Sequence, residues 1–236
     1  MTAESNTGQK RGLIVAIDGP AGAGKSTLAK RLAERFGLLN LETGAMYRAF
    51  ALKAIQAGVA LDDPAALEVL SQMTTINIEP GEASNLVYLD GKEVSGELRE
   101  QAITDAASRV SVHPQIRIWM VERQRQIALA GNVVMEGRDI GTVVFPDADI
   151  KIFLDAAPEA RGQRRYEQLG PTPTIQPEEL LKELRARDER DRNRAESPLK
   201  PADDAIILDS TGLTLDEVVE EASKLVESKQ QTLASR

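Results

Sequence analysis

GLIVAIDGPAGAGKSTLAKRLAERFG, Gly12 to Gly37, is the stretch on which the fold turns. Its first part, GLIVAID through Asp18, is a short apolar run, which suits a strand buried on both faces of a parallel sheet. Its last part, STLAKRLAERF, reads as a helix closed by Gly37. Between them GPAGAGKS, Gly19 to Ser26, matches G-x-x-x-x-G-K-[ST], the pattern of a phosphate-binding loop. The glycines permit unusual backbone angles, so that amide N–H groups close around phosphate oxygens at the start of a helix whose dipole favours negative charge. The residues expected to hold ATP are Gly19, Pro20, Ala21, Gly22, Ala23, Gly24, Lys25, Ser26 and Thr27. Lys25 is placed to reach the β and γ phosphates. The Ser26 hydroxyl is placed to ligate magnesium, Mg²⁺, whose other ligands would be mostly water and ATP phosphates.

Outward from the loop, strands and helices alternate. LLNL reads as a second short strand and GAMYRAFALKAIQAG as a helix ending near Gly58. Asp63 and Pro64 form an N-cap and first helical residue for PAALEVLSQM. TINIE and NLVYL alternate in polarity and VYLDGKEV carries an Asp-Gly turn, so a small antiparallel insertion is expected between Thr74 and Val94. Two helices follow, Glu100 to Ser111 and Pro114 to Ala130, the second ended by Gly131 and carrying Trp119 as a core residue. NVVM, ADIKIFL and AIIL are further buried-strand candidates, and Thr214 with Glu217 forms a capping box for TLDEVVEEASKLV. This order predicts an α/β fold, a parallel sheet with right-handed crossovers. GPTPTIQP, between two charged helices, reads as a mobile connection.

Composition narrows the chemistry. The 236 residues suffice for one sizeable core, and the 3% aromatic content makes that core aliphatic. With no cysteine, disulfides, thiolate nucleophiles and cysteine-ligated metals are excluded. His113 is the one histidine and precedes a proline at a helix start, which disfavours histidine triads and metal clusters. No apolar run reaches the length of a membrane span and no secretory signal is visible, so a cytoplasmic protein without a membrane partner is expected. A net charge of -8 argues against a nucleic-acid partner, which would need a broad basic surface. It leaves room for one small anionic ligand.

RARDERDRNR, Arg185 to Arg194, places five arginines within ten residues of this acidic chain. Asp188 and Arg192 stand four apart, as in a solvated helix face. Arg187, Asp191 and Arg194 fall at i, i+4 and i+7 and project from one side. Spacing alone leaves both readings open. The phosphate loop likewise identifies a donor and not a reaction, although the absence of a guanine-reading N-K-x-D string disfavours a regulatory GTPase and points to a small-molecule kinase.

IDGPAGAGKST, LETGAMYR, EGRDIGTVVFPDADIKIFLDA, RDERDRNRAESPL and ADDAIILDST together closely resemble the bacterial cytidylate kinase family, from about Leu13 to the last helix. The resemblance implies a P-loop NTPase-type core with an inserted acceptor-binding lobe and a short helical lid. It also implies transfer of the γ-phosphoryl group of ATP to CMP, and to dCMP, giving CDP or dCDP and ADP. Thr43, Arg48, Arg138 and Arg194 match positions that contact the acceptor phosphate, while Asp139, Ser108 and Arg117 match cytosine-reading positions. Arg187 and Asp191 match residues near the acceptor sugar and base. In RGQRR, Arg161 to Arg165, the candidates for a lid over the donor phosphates are Arg164 and Arg165. The catalytic set is then Lys25, Arg138, Arg194, Arg164 and Arg165. Glu136 stands where an aspartate is common in the family, and Thr43 where a serine is.

On this reading residues 12–230 form one kinase domain. Its core is about 12–42 and 131–230, its acceptor lobe about 43–130 and its lid about 158–175, with disordered tails at 1–11 and 231–236 and a monomeric state. A kinase for another monophosphate, chiefly UMP, is the nearest rival. A nucleotide-binding regulator without phosphotransfer is the rival from another class.

Overall fold

The computed structural model describes residues 12–81, 85–129, 131–170 and 176–235. Its central strand β1 (Ile14–Asp18) is buried along its whole length, as its unbroken apolar run predicts. It pairs in parallel with β6 (Val133–Gly137) on one side and β7 (Ile150–Asp155) on the other. The sheet is completed by β2 (Leu39–Glu42) outside β6 and β8 (Ile206–Asp209) outside β7, both again parallel.

The alternation of side chains along β1 divides the interior in two. Ile14 and Ala16 join a core with Leu41, Met135 and the helices α2 (Thr43–Gln56), α4 (Gln101–Val110) and α5 (Pro114–Ile127). Val15 and Ile17 join a second core with α1 (Lys25–Phe36) and α8 (Leu215–Ala234). Trp119 of α5 packs beside Phe50 with ring centroids 5.1 Å apart, a core role. The His113 ring bonds the Leu61 carbonyl at 2.8 Å, and the residue caps α5.

The insertion has the expected form. Helix α3 (Pro64–Gln72) starts at Asp63, whose carboxylate accepts from the amides of Ala65 and Ala66. A three-stranded antiparallel sheet follows: β3 (Ile76–Glu79), β4 (Leu86–Leu89) and β5 (Lys92–Glu93). Its Asp90-Gly91 turn has φ of 50° and 82°, the left-handed pair that a two-residue hairpin turn requires.

Three features depart from the sequence pattern. A π-helical turn, Ile140–Val144, follows β6 and has no periodicity of its own to announce it. The second helix of the insertion stops at Ile127, three residues before the expected Ala130. At the other end of the chain, α8 starts with the Thr214–Glu217 capping box but runs on to Ala234. It takes in the first residues of the expected tail because nothing in that stretch breaks a helix, and Leu233 packs on the second core. Helices α6 (Pro158–Leu169) and α7 (Pro177–Asn193) flank the connection GPTPTIQP, most of which lies outside the described residues, as does the N-terminal tail. Among the described residues, no helix is long and apolar enough to cross a membrane.

Candidate active site

The parallel register brings the carboxyl ends of three strands level. Asp18 of β1 stands beside Gly137 of β6, and Glu136 stands beside Glu42 of β2. Open α/β sheets bind ligands at such ends, and here they open into a cleft of about 730 Å³. The phosphate loop forms one wall. Gly19, Gly22 and Gly24 take φ of 149°, 76° and 98°, and a Cβ on Gly19 would lie 2.0 Å from the Leu154 carbonyl oxygen, so no larger residue fits there. The loop ends at the N-terminus of α1, with Gly24 as the left-handed cap. Lys25 is buried and donates to the Pro20 carbonyl at 2.8 Å. The Ser26 hydroxyl donates to Glu136 at 3.1 Å.

Opposite the loop, cations gather from several elements. Arg138, just after β6, donates to Asp191 of α7 at 2.8 Å. Arg194 follows α7, with Nη1 3.6 Å from Asp191 and Nη2 3.9 Å from Asp139. Arg117 of α5 donates to Asp139 at 2.5 Å and lies over the Tyr47 ring. Arg48 of α2 is paired with Glu42, and Thr43 donates to the Glu136 carbonyl at 2.8 Å. Among the described residues, four buried donors in this wall have no hydrogen-bond partner: Ser108 Oγ, Arg117 Nε, Arg187 Nε and Arg194 Nη2. Buried polar groups are almost always paired, so orphaned donors in a cleft mark a place prepared for acceptor oxygens or nitrogens.

The electrostatics agree with that geometry. Burial, and then the charge of Arg138, pushes the Lys25 ammonium down to about 7. The same two causes, in the same order, bring Arg187 down to about 10, and burial followed by Arg117 lowers Arg194. Burial also raises the Glu136 carboxyl. Burial alone would raise Asp191, but Arg138, Arg187 and Arg194 hold it below the usual carboxylate range. Crowded, desolvated cations of this kind gain when a polyanion arrives between them.

Ala21, Gly22, Gly24, Lys25, Ser26 and Thr27 of the predicted loop line the cleft. So do Thr43, Arg48, Ser108, Arg117, Arg138 and Asp139, and so do Arg165, Arg187, Asp191 and Arg194. Arg187 and Asp191 thus share the site-facing side of α7, and Arg194, just beyond its end, joins them in the cleft. Arg164 is directed elsewhere, onto the hydroxyl and carbonyl of Ser210 beyond β8. Asp188 corrects the solvated-face reading. It is 4% exposed, and its ion pair is with Arg161 at 2.6 Å, not with Arg192. Helical spacing shows which residues share a side, but not which side is buried.

Other residues around the cleft gave no signal in sequence. Asp18 accepts from the amides of Ile140 and Gly141 at 2.8 and 2.7 Å, fixing the turn that follows Asp139. Glu42 anchors Arg48, and Tyr47 supports Arg117. Their one legible trait was position, since Asp18 and Glu42 close apolar runs at strand ends. On the far side of the Arg161–Asp188 pair lies a second cleft of about 630 Å³, bordered by Ala156, Ala157, Ile207 and Thr211.

A sequence model of the cytidylate kinase family matches residues 15–228. The chain is similar to the cytidylate kinase of Pasteurella multocida, 44% identical over 218 residues, which cover 91% of this chain and 95% of that one. It is 48% identical to the cytidylate kinase of Solibacter usitatus over 95% of this chain and 96% of the relative. To that of Pelotomaculum thermopropionicum it is 49% identical over 87% and 92%.

Proposed function

The chain belongs to the cytidylate kinase family, and from that premise we infer that it transfers the γ-phosphoryl group of ATP to CMP, and to dCMP. One observation carries the reading. A single cleft joins a phosphate loop to a wall of arginines, in which the buried Arg187 Nε and Arg194 Nη2 have no hydrogen-bond partner among the described residues. A second phosphate, facing the first, answers both the geometry and the charge.

The residues then have distinct tasks. A phosphate monoester has a second pKa near 6, so at neutral pH CMP is largely a dianion and needs no general base. The obstacle is repulsion between two polyanions, which cations overcome by holding them in line and by stabilising charge on the transferring group. The loop amides and Lys25 hold the donor. Arg48, Arg138 and Arg194, with Thr43, hold the acceptor phosphate, where a planar guanidinium can donate two bonds at once, and Arg187 and Asp191 stand near the acceptor sugar and base. Thr43 and Asp191 keep the Glu136 segment and Arg138 in place. Arg165 lines the cleft and is the lid arginine best placed to approach donor phosphates, whereas Arg164 serves the packing of α6 against the loop after β8.

The oxygen chemistry of Ser26 and Glu136 fits Mg²⁺. A hydroxyl and a buried carboxylate 3.1 Å apart are hard ligands beside the loop. Among the described residues no group of three acidic or histidine side chains could hold a metal unaided, so Ser26 and Glu136 would share the ion with donor phosphates and water. The ion, when bound, would neutralise charge on the phosphates.

Base choice falls to Asp139, Ser108 and Arg117. Cytosine presents an amino donor at N4 where uracil presents a carbonyl, and an ionised Asp139 accepts from the first and repels the second. Arg117 holds one Asp139 oxygen, leaving the other directed toward Arg194 and the cleft. The reading is tested by coupled ADP release across a panel of nucleoside monophosphates. CMP and dCMP are expected to turn over fastest. Preference for UMP would make the protein a kinase of another pyrimidine, and absence of monophosphate-dependent turnover would make it a regulator.

A further inference from the structure

Ala21 sits at the turn of the phosphate loop, and both polar groups of its backbone are bonded to buried charges from outside the loop. Its N–H donates to Asp188 at 3.3 Å. Its carbonyl accepts from Arg161 at 2.9 Å. Asp188 and Arg161 are themselves paired at 2.6 Å, and Arg161 makes a further bond to the Ala156 carbonyl at 2.9 Å. The two residues are 4% and 2% exposed. A Cβ on Gly22 would lie 3.3 Å from Arg161 Cβ, so helix and loop are in close contact as well as bonded.

We propose that Asp188 and Arg161 are positioning residues for the donor: as a buried ion pair they fix the two peptide groups on either side of Ala21, and through them the direction of the loop amides that receive the triphosphate. The argument is geometric. A loop built on glycines has many backbone states available, and binding phosphate through amides requires one of them. Hydrogen bonds within the loop restrict only part of that freedom. Here α6 and α7 hold two consecutive peptide groups, one on each side of Ala21, and a paired, fully bonded charge is rigid where a single charge would drift. Neither residue need touch the donor phosphates.

Asp188 also ties two functions to one helix. It lies next to Arg187 and three residues before Asp191, so α7 presents its acceptor residues on one side and the clamp for the donor loop on another. The clamp is therefore set by the same rigid element that carries the arginine wall.

The proposal rests on the donor reading of the loop and not on the identity of the acceptor. Its test uses the full chain, a non-hydrolysable ATP analogue and CMP, with each Kd measured separately by titration. Asp188→Asn is nearly isosteric and keeps an acceptor for the Ala21 N–H, but no longer neutralises Arg161. The paired change Arg161→Met with Asp188→Leu removes both charges together, a replacement that buried ion pairs commonly tolerate without loss of stability. The expected result is an ATP-analogue Kd raised about 5-fold in Asp188→Asn and 20-fold or more in the paired variant, with CMP affinity within 2-fold of wild type. Amide hydrogen exchange at Ala21 should quicken in the same order. Arg161 and Asp188 both also border the second cleft, so the exchange rate at Ala21 in the ligand-free protein, which a direct contact with the donor would leave unchanged, separates clamping from contact. An unchanged ATP-analogue Kd in Asp188→Asn would overturn the proposal, as would an equal loss of ATP-analogue and CMP affinity. Failure of the wild type to bind the ATP analogue would instead overturn the donor reading itself.

Discussion

The two walls of the cleft are built on opposite plans. The donor wall is one continuous segment whose binding groups are mostly backbone, set by glycine geometry, with Lys25 resting on Pro20 and Ala21 bonded to Asp188 and Arg161. The acceptor wall collects side chains from α2, α4, α5, the turn after β6, and α7, and leaves several of their donors unpaired. A phosphate chain recurs in every triphosphate, so backbone amides and one lysine can make the contacts to it. A particular monophosphate has to be told from its relatives, and that needs side chains converging from many directions, at a cost in buried, unsatisfied polarity.

Lys25→Ala puts the greatest strain on this contrast. If the donor wall is preformed by its backbone, the variant should keep its fold and its CMP affinity while kcat/KM for ATP falls by about 10²–10³-fold, the usual cost of removing one charge-stabilising donor. A folded variant with near-normal ADP release would break the comparison at its root.

Arg194→Ala examines the other wall. Charge-assisted hydrogen bonds are worth about 1.5–3 kcal/mol, so kcat/KM for CMP should fall by roughly 10- to 100-fold with the ATP-analogue Kd nearly unchanged. Parallel titration of both ligands decides the matter. Equal, small effects would leave Arg194 a structural partner of Asp191 and Asp139.

Asp139→Asn sharpens the contrast from affinity to selectivity. Asparagine preserves an acceptor for Arg117, which is 2% exposed and would be costly to leave unpaired. The amide can also donate to uracil. A base contact of this kind discriminates by about 1–3 kcal/mol, so the CMP-to-UMP ratio of kcat/KM should shrink by about 5-fold or more. A ratio that stays put in a folded variant would transfer base reading to Ser108 and Arg117.

The smallest effect is a proton. Burial and Arg138 bring Lys25 down to about 7, so in the free protein the amine is largely charged at pH 6 and largely neutral at pH 8. Phosphates favour the charged form. Binding of an ATP analogue should therefore take up close to one proton at pH 8 and little at pH 6, measurable by calorimetry in buffers of different ionisation heat. Lys25→Met should abolish the difference, and uptake that does not change with pH would mean that the lysine is already charged before binding.

The same contrast explains what the sequence disclosed. From Gly12 to Gly37, strand, loop and helix follow one another without a gap, so spacing alone located the donor wall and the central strand. The alternating strands that flank it, the Asp90-Gly91 turn and the Thr214 capping box were legible because each is a local arrangement. The acceptor wall was not. Ser108 lies in AASRV, which carries no chemical signal, and Arg117 sits 22 positions from the carboxylate it pairs with. Such residues were reached through family resemblance. Spacing offers Asp188 an i, i+4 partner in Arg192, whereas its actual partner Arg161 comes from another helix. The π-helical turn escaped because its five residues are too few to show a period.

Asp18 carries a consequence for the whole molecule that is best expressed as proton linkage. Its burial raises the carboxyl from 3.8 to about 6, despite the two amide bonds from Gly141 and Ile140 that oppose the rise. Between those two values the folded chain binds a proton that the unfolded chain has released. This residue's contribution to stability is therefore fully present below about 3.8 and is lost as pH climbs through about 6. Most carboxylates act in the reverse sense and protect a fold as they ionise. At neutral pH the protein thus gives up some folding free energy to keep an ionised carboxylate at the end of β1. In return, the turn after Asp139 is held by two bonds to a full negative charge.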